Sequence, residues 1–570
     1  MKKCLIAVIT ALAASLGHSQ GTITTVAGTV SLSVTAAATG AAVPSFAASS
    51  VVNATGYQQE LAPDTVFVIF GSAMGPASIV TASAPNYPES LGGTSVTFTP
   101  AAGGPAITAK MIYSVAGQIA GLLPSSITPG TYSVRVAYNG ETSAAQNVTV
   151  VARSFGIATA NSSGSGNVQA TIANINGGIS LTRFAGGSLS FNGLNWTLSP
   201  SHPGDTLVFW GTGGGADPAN DTGGSSGDQT AAGNFVVNVG GRQITPLYAG
   251  ASAGYPGLWQ INFTLPADIA PGCFVYVQVS AGGRLSNGVN LPIAAPGQSV
   301  CAEPDLSPSF LAKLDAGGTI TVGSLAIAKI TSTDANVTQE TASGFFGRYA
   351  VDAWLRPNIG PRFGFCPIFE RTFPVGGTDP ASPQVELDAG ARLPFSGPNL
   401  AAGAALSVMA IPLGSFYVNI MTSGTLASGG TYNLTGLGGT QVGPFSASAV
   451  LPSTFTAANY NSITRIDRTQ PLTISWTGSG FDRVYFQATT NTRVAGMQHI
   501  VTINCYIPAN LGTYSIPTAA LAYLQPGTAS IAIEGMSPSG TFTANLVAGG
   551  QLDLGLFVGD LGVVKSIPVQ

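Results

Sequence analysis

Ala62-Pro63-Asp64-Thr65-Val66-Phe67-Val68-Ile69-Phe70-Gly71 is answered further along the chain by His202-Pro203-Gly204-Asp205-Thr206-Leu207-Val208-Phe209-Trp210-Gly211. Pro63 and Pro203 stand 140 residues apart. A second group follows each copy: Gln118-Ile119, Leu123-Pro124 and Pro129-Gly130 recur as Gln260-Ile261, Leu265-Pro266 and Pro271-Gly272, 142 residues later throughout. Two motif groups repeated in the same order mean a duplicated domain. Solenoid repeats have periods of roughly 20 to 50 residues and bury a core only by stacking, so a period this long predicts two modules that each own a core.

Between the motifs the chain reads as short β-rich runs, such as Thr65–Phe70, Ser95–Thr99, Tyr132–Tyr138 and Asn147–Val151, bounded by Gly, Pro or Asn. Pro129-Gly130 and Asn139-Gly140 are turn dipeptides, and no amphipathic helix of useful length is evident. Strands at this spacing predict antiparallel sandwiches.

The 570 residues contain 74 Gly and 37 Pro, and only 8% are charged while 45% are hydrophobic. An average soluble domain is about a quarter charged, so this chain can bury ample core but carries few ionic surface groups. Charge-driven disorder is excluded. Twenty Lys+Arg against 24 Asp+Glu leave a net charge of −4 and no basic tract, which removes the footprint needed for nucleic acid.

Lys2 and Lys3 precede an uncharged apolar run from Leu5 to Leu16, and Gly17 and Ser19 supply small residues before Gln20, so residues 1–19 read as a cleaved signal peptide. The run is shorter than the roughly 20 residues that a membrane span needs. An outer-membrane barrel would show regular segments of about ten residues with aromatic girdles, and the aromatics here are not so spaced. The expected location is therefore secreted, extracellular or at the cell surface, with no transmembrane segment in the mature chain. Cys4 lies in the leader, leaving Cys273, Cys301, Cys366 and Cys505, an even number in an exported chain. Of three pairings, Cys273–Cys301 and Cys366–Cys505 are preferred, because the first closes a short loop and the second stays within the C-terminal region.

The expected organisation is a low-complexity leader over 20–50, one sandwich over 51–152, a second over 153–295, a β-rich domain over 301–452 and a sandwich-like domain over 453–570. Ala294 to Ser299 reads as a linker. Leu314-Asp315-Ala316-Gly317, Leu387-Asp388-Ala389-Gly390 and Leu552-Asp553-Leu554-Gly555 share a pattern that predicts tight turns, with Asp bonding its own backbone and Gly at positive φ.

Val52-Asn53-Ala54-Thr55-Gly56-Tyr57, Leu61-Ala62-Pro63-Asp64-Thr65, Ile69-Phe70-Gly71-Ser72, Leu91-Gly92-Gly93-Thr94-Ser95-Val96 and Gln118-Ile119 together resemble a family of uncharacterised exported acidobacterial proteins. The likeness covers about Ser45 to Ile293 and implies tandem immunoglobulin-like β-sandwich modules. Tyr432-Asn433-Leu434-Thr435-Gly436, Leu472 to Gly478 and Gly512 to Pro517 are similar to a β-rich C-terminal region recurring in the same proteins. The resemblance implies an all-β fold and export, and no activity. Cys301 to about Thr431 is only weakly matched. Ile23-Thr24-Thr25-Val26-Ala27-Gly28 looks like the start of a propeller repeat, but nothing after it continues the pattern.

Few residues offer chemistry. A Ser-His-Asp hydrolase needs a histidine between nucleophile and carboxylate, and the mature chain has only His202, read as a strand-entry loop residue, and His499, read as a strand residue. Glu386 and Asp388, at i and i+2, could form a glycosidase carboxylate pair, but a solvated face beside a turn explains them equally. Asp217, Asn220, Asp221, Thr222 and Asp228 concentrate oxygens that calcium could use, without an established calcium spacing; a polar loop is the plainer reading. Gly211-Thr212-Gly213-Gly214-Gly215 lacks the Lys-Ser/Thr of a phosphate cradle. Gly344 to Phe373 concentrates aromatics and charges, including Tyr349, Trp354, Arg356 and Arg362, as recognition surfaces do. A core-forming strand pair beside Cys366 is the preferred explanation there.

The expectation is a secreted, non-enzymatic β-sandwich protein with a structural, adhesive or display role and no cofactor. Its partners would be extracellular glycan, matrix or surface proteins. The alternative is a polysaccharide-binding or polysaccharide-degrading protein with its site in 301–431.

Overall fold

A computed structural model describes residues 42–173, 179–191, 194–303, 305–351, 366, 368–376, 385–411, 414–494 and 496–570. The expected signal peptide and most of the expected leader lie outside the described residues, as do Trp354, Arg356 and Arg362. The fold is all-β: two tandem immunoglobulin-like sandwiches followed by further sandwich-like β structure. The chain divides into two compact units, residues 1–269 with 277–291 and residues 270–276 with 292–570.

The first unit holds both sandwiches. In the first sandwich one sheet runs Ser45–Asn53, Val66–Ser72, Gln118–Leu122, Lys110–Val115 and Val80–Thr81, and the other runs Gln146–Val150, Gly130–Tyr138, Thr94–Pro100 and Ile107–Thr108. Alternation along Thr94–Pro100 turns Val96 and Phe98 inward and Ser95 and Thr97 outward, the period-2 pattern of a one-faced strand. Phe67 and Phe98 meet edge to face at 5.4 Å in a core of Ile69, Met111, Ile119 and Val134. Each such side chain contributes roughly 1.5–3 kcal/mol by leaving water. Asn139 and Gly140 both take positive φ between Gly130–Tyr138 and Glu141–Thr142, the conformation that the Asn-Gly dipeptide predicts.

One boundary is corrected. Ser45–Asn53 is already a strand, with Phe46 buried, although the leader was expected to reach residue 50. Its uncharged Ala, Ser and Val residues have no core of their own and gain one by pairing with Val66–Ser72.

The second sandwich repeats the scheme. In the first copy Val66–Ser72 pairs with Gln118–Leu122 so that Ile69 faces Ile119 and Phe70 faces Gln118. In the second, Thr206–Thr212 pairs with Trp259–Thr264 so that Phe209 faces Ile261 and Trp210 faces Gln260. The two repeated motif groups are thus one strand pair built twice in the same register. Among the described residues the core around Phe67 and Phe98 draws only on the first copy, and the cluster of Ala158, Trp210 and Leu258 only on the second.

In the second unit a 14-stranded sheet carries strands from both 301–452 and 453–570, joined where Thr319–Ser332 and Leu554–Val569 pair in parallel. The sheet continues through the boundary expected near residue 452, and Phe542, Leu552 and Phe557 from beyond it join the core of the preceding region. Phe346, Tyr432, Phe445 and Phe557 belong to one core, and Trp476, Phe486, Ile503 and Ile533 to the other. Disulfides join Cys273 to Cys301 and Cys366 to Cys505.

Two further expectations are corrected. Pro308–Ala316 is an α-helix: Ser307 accepts the Phe310 N–H as N-cap, Pro308 opens the first turn, and Phe310, Leu311 and Leu314 are buried. Leu314-Asp315-Ala316-Gly317 is therefore a helix end, with Gly317 at positive φ, while only Leu387-Asp388-Ala389-Gly390 forms the predicted Asp-centred turn. Among the described residues the strands of Gly344 to Phe373 do not pair with each other. Val337–Ala350 pairs with Thr319–Ser332 and Gly414–Met421, whereas Ile368–Pro374 pairs with Met497–Pro508 elsewhere in the sheet.

Candidate functional site

The turn that opens each copy is built the same way twice. The Thr65 hydroxyl accepts the Ala62 N–H at 3.1 Å, and the Asp205 carboxylate accepts the His202 N–H at 2.7 Å. Leu123 and Leu265 donate their N–H groups to the carbonyls of Thr65 and Asp205. The structural counterpart of Asp64 is therefore Gly204. Both donate N–H to the leucine carbonyl, and both have positive φ, 62° and 89°. A left-handed conformation suits glycine and is tolerated by Asp and Asn at some cost. His202, as expected, belongs to the turn.

Asp64 puts a side chain where the second copy has none, and that side chain enters a contact between the two sandwiches. Its carboxyl is fully buried, and Trp259 donates its indole N–H to Oδ2 at 3.2 Å. The other oxygen, Oδ1, accepts no hydrogen bond. Burial pushes the carboxyl well above the ordinary range; the Trp259 bond opposes this, and the Asp221 and Asp217 carboxylates reinforce it.

Around Asp64 the modules are clasped by polar side chains bonded to backbone. Asn53 donates to the carbonyls of Ser154 and Thr212, and the Thr55 hydroxyl donates to Gly156. The Thr212 hydroxyl accepts the Val66 N–H at 2.8 Å and donates to the Gly257 carbonyl at 2.6 Å. Asp221 accepts both the N–H and the hydroxyl of Ser125. Buried polar groups need such partners, and a set this complete fixes the register of two surfaces.

The loop weighed as a calcium site and read as a polar loop is part of the same arrangement. Asp217 accepts from Ala219, Ser226 and Gln229, Asn220 bonds Gly224 and Gly257, and Asp228 accepts from Thr230 and Ala249. Thr222 donates its hydroxyl to Ala219. These oxygens order the loop itself. Among the described residues no three His, Cys, Asp or Glu side chains come together as metal ligands.

The carboxylate pair of the second unit divides. Asp388 is a turn organiser: it accepts from the Gly390 N–H and from both the N–H and hydroxyl of Thr440, and these bonds hold it below the usual carboxylate range. Glu386 lies on the strand Val385–Glu386, opposite Gly347. Tyr349 is buried and meets Phe345 edge to face at 6.2 Å; burial, with the Glu386 charge, pushes its hydroxyl up to about 12. Of the four residues proposed as a ligand surface, only Tyr349 lies among the described residues. His499 lies on the strand Met497–Pro508, as the alternation predicts.

One cluster escaped the sequence reading. Across four antiparallel strands Tyr506 faces Tyr485, Tyr485 faces Glu534, and Glu534 faces Gly562. Asp560, two residues along, shares that face. The tyrosine rings lie 4.9 Å apart, and the Tyr485 hydroxyl donates to Asn504 and accepts from Gln487. Burial raises both the Glu534 and the Asp560 carboxyls far above their ordinary values; the Asp560 charge adds to the effect at Glu534, and Arg483 opposes it at Asp560. Asp560 Oδ1 accepts no hydrogen bond. Glu534 and Asp560 are 26 positions apart in sequence, so no local motif could have marked them.

No protein-family model matches the chain, and no curated protein matches it. Solved structures share faint similarity. Bacteroides ovatus mixed-linkage glucan utilization locus SGBP-B, in complex with a mixed-linkage heptasaccharide, is 10% identical, with 64% of this chain and 66% of that one covered at a TM-score of 0.19. The chain thus spans just under two thirds of that protein's length. Immunoglobulin domains 1–4 of Sidekick-1 are 10% identical over 87% of this chain and 95% of theirs, at a TM-score of 0.12. An endo-fucoidan hydrolase of glycoside hydrolase family 107 is 11% identical over 68% and 45%, at 0.09. Likenesses of this strength carry no argument about activity.

Proposed function

We propose that this is an exported, non-enzymatic β scaffold with a structural, adhesive or display role outside the cell, related to the acidobacterial proteins its sequence resembles. The observation that carries this reading is how the polar groups are used. Asn53, Thr55, Thr212, Asp217 and Asp221 bond the backbone between and within the sandwiches, and Asp388 bonds its own turn. Groups so engaged confer rigidity, which a spacer needs. The two disulfides suit an oxidising compartment.

A second reading, glycan binding, is favoured by the face that carries Tyr485, Tyr506, Gln487, Asn504, Glu534 and Asp560. Aromatic rings beside amides and carboxyls offer both stacking and hydrogen bonds to a sugar. This reading places the contact outside the 301–431 region expected from sequence.

A glycan array probed with the mature protein, with calcium and with chelator, separates the two. The scaffold reading predicts no saturable binding. Saturable binding that is lost in Tyr506→Ala, with unchanged unfolding, would replace it with glycan recognition.

A further inference from the structure

We propose that Asp64 is a pH-responsive latch between the two sandwiches: uncharged, it holds them together; ionised, it loosens them. The inference goes beyond the scaffold role and concerns how that scaffold responds to its surroundings.

Three observations meet at this residue. Asp64 occupies a left-handed position that the second copy fills with Gly204, so the first copy carries a strained side chain where the duplicated turn needs none. That side chain is fully buried, and its hydrogen bond to Trp259 crosses from one sandwich to the other. Its second oxygen has no partner, a costly arrangement for a carboxylate and a milder one for a neutral acid.

The charged groups acting on Asp64 come from the second module's loop and are both acidic, Asp221 and Asp217. The backbone packed against it is Leu123, which does not titrate, and the Trp259 indole only donates. Glu60 and Arg284 form an ion pair across the modules at half-exposed positions, where solvent screens them. Arg153, half-buried over the Phe235 ring that stacks on Trp259, donates to the Gly214 carbonyl and is not among the charges acting on Asp64, so loss of the Asp64 proton would place a third negative charge beside two others.

The sign follows from linkage. A carboxyl whose folded value is raised contributes stability in full below its ordinary unfolded value, and that contribution is lost as pH rises through the folded value. One proton is involved, so the folding equilibrium constant should fall by up to about tenfold per pH unit between the ordinary unfolded value and the raised folded value, and level off above it.

The test compares mature wild-type protein with Asp64→Asn, which can still accept the Trp259 N–H but cannot ionise. Equilibrium unfolding is followed from pH 4 to 10, with Trp259 emission obtained by difference from Trp259→Phe. Expected results are a wild-type unfolding constant that rises with pH relative to the Asn variant, and a Trp259 red shift on raising pH that the Asn variant lacks. Parallel pH profiles for the two proteins, or a Trp259 signal that does not move with pH, would overturn the proposal. Should Asp64→Asn not fold, Asp64→Gly, the residue of the equivalent turn, serves instead. The difference is essential because Glu534 and Asp560 titrate in the same sense.

Discussion

Glu534 lies across Gly562, its direct partner on the neighbouring strand: a Cβ built on Gly562 would stand 2.5 Å from Glu534 Cγ. The missing side chain is what lets a carboxylic acid fold down onto the sheet.

Gly562→Ala should therefore displace Glu534 and strain the strands around it. Overpacking of this kind typically costs about 1–3 kcal/mol. Urea unfolding should show a lower midpoint with an unchanged slope, and a midpoint equal to wild type would mean that Glu534 moves aside freely.

The Glu534 and Asp560 pair sets a pH dependence for the second unit. Both carboxyls are raised by burial, so their contribution to stability is present in full below ordinary carboxylate values and is lost as pH climbs through the raised folded values. Glu534→Gln combined with Asp560→Asn should raise the melting temperature at alkaline pH more than at pH 5. An equal change at both ends would show that the pair stays ionised in the fold.

Cys366 and Cys505 close a loop of 139 residues, against 28 for Cys273 and Cys301. On chain entropy alone the first should contribute about 5 kcal/mol and the second about 3.6 kcal/mol. Cys366→Ser with Cys505→Ala should accordingly lower the unfolding free energy more than Cys273→Ser with Cys301→Ala, as read by guanidinium titration. The reverse order would point to residual structure in the unfolded chain.

Gly257 of the second sandwich packs directly against Leu122 and Val66 of the first. Its φ is +83°, and a Cβ there would stand 2.6 Å from Leu122 Cδ1 and from Val66 Cγ2. Gly257→Ala should cost more than about 1 kcal/mol, since conformation and space both oppose it. Hydrogen exchange should report faster opening of the Val66 N–H, which Thr212 accepts. Unaltered protection would place the clasp's stability elsewhere.

Much of the fold was legible in the residues. The repeated Pro63 and Pro203 motifs, with Gln118-Ile119 and Gln260-Ile261, announced one strand pair built twice, because a strand's partner must carry matching apolar residues at matching spacing. An even number of cysteines outside the expected leader pointed to disulfides, and loop length and region favoured the two pairings that form. The helix Pro308–Ala316 was missed because a nine-residue helix gives too few turns for a clear apolar period. The strand Ser45–Asn53 was missed because its place depends on the partner edge more than on its own composition.

The sites were far less legible. Asp217 and Asp388 carried the residue types of a metal or catalytic site, yet each bonds the N–H two residues on, and Asp388 also takes both donors of Thr440, 52 positions away, which only the folded chain brings near. Asp64 looked like one more turn residue. Local sequence determined the strands, the turns, the duplication and the cysteine frame, since these follow from side-chain period, backbone preference and counting. Tertiary structure alone decided that Asp64 would meet Trp259, 195 positions away, and that Glu534 and Asp560 would share one face. Burial and the sign of a neighbour's charge are properties of surroundings, and surroundings arise only when distant segments pack.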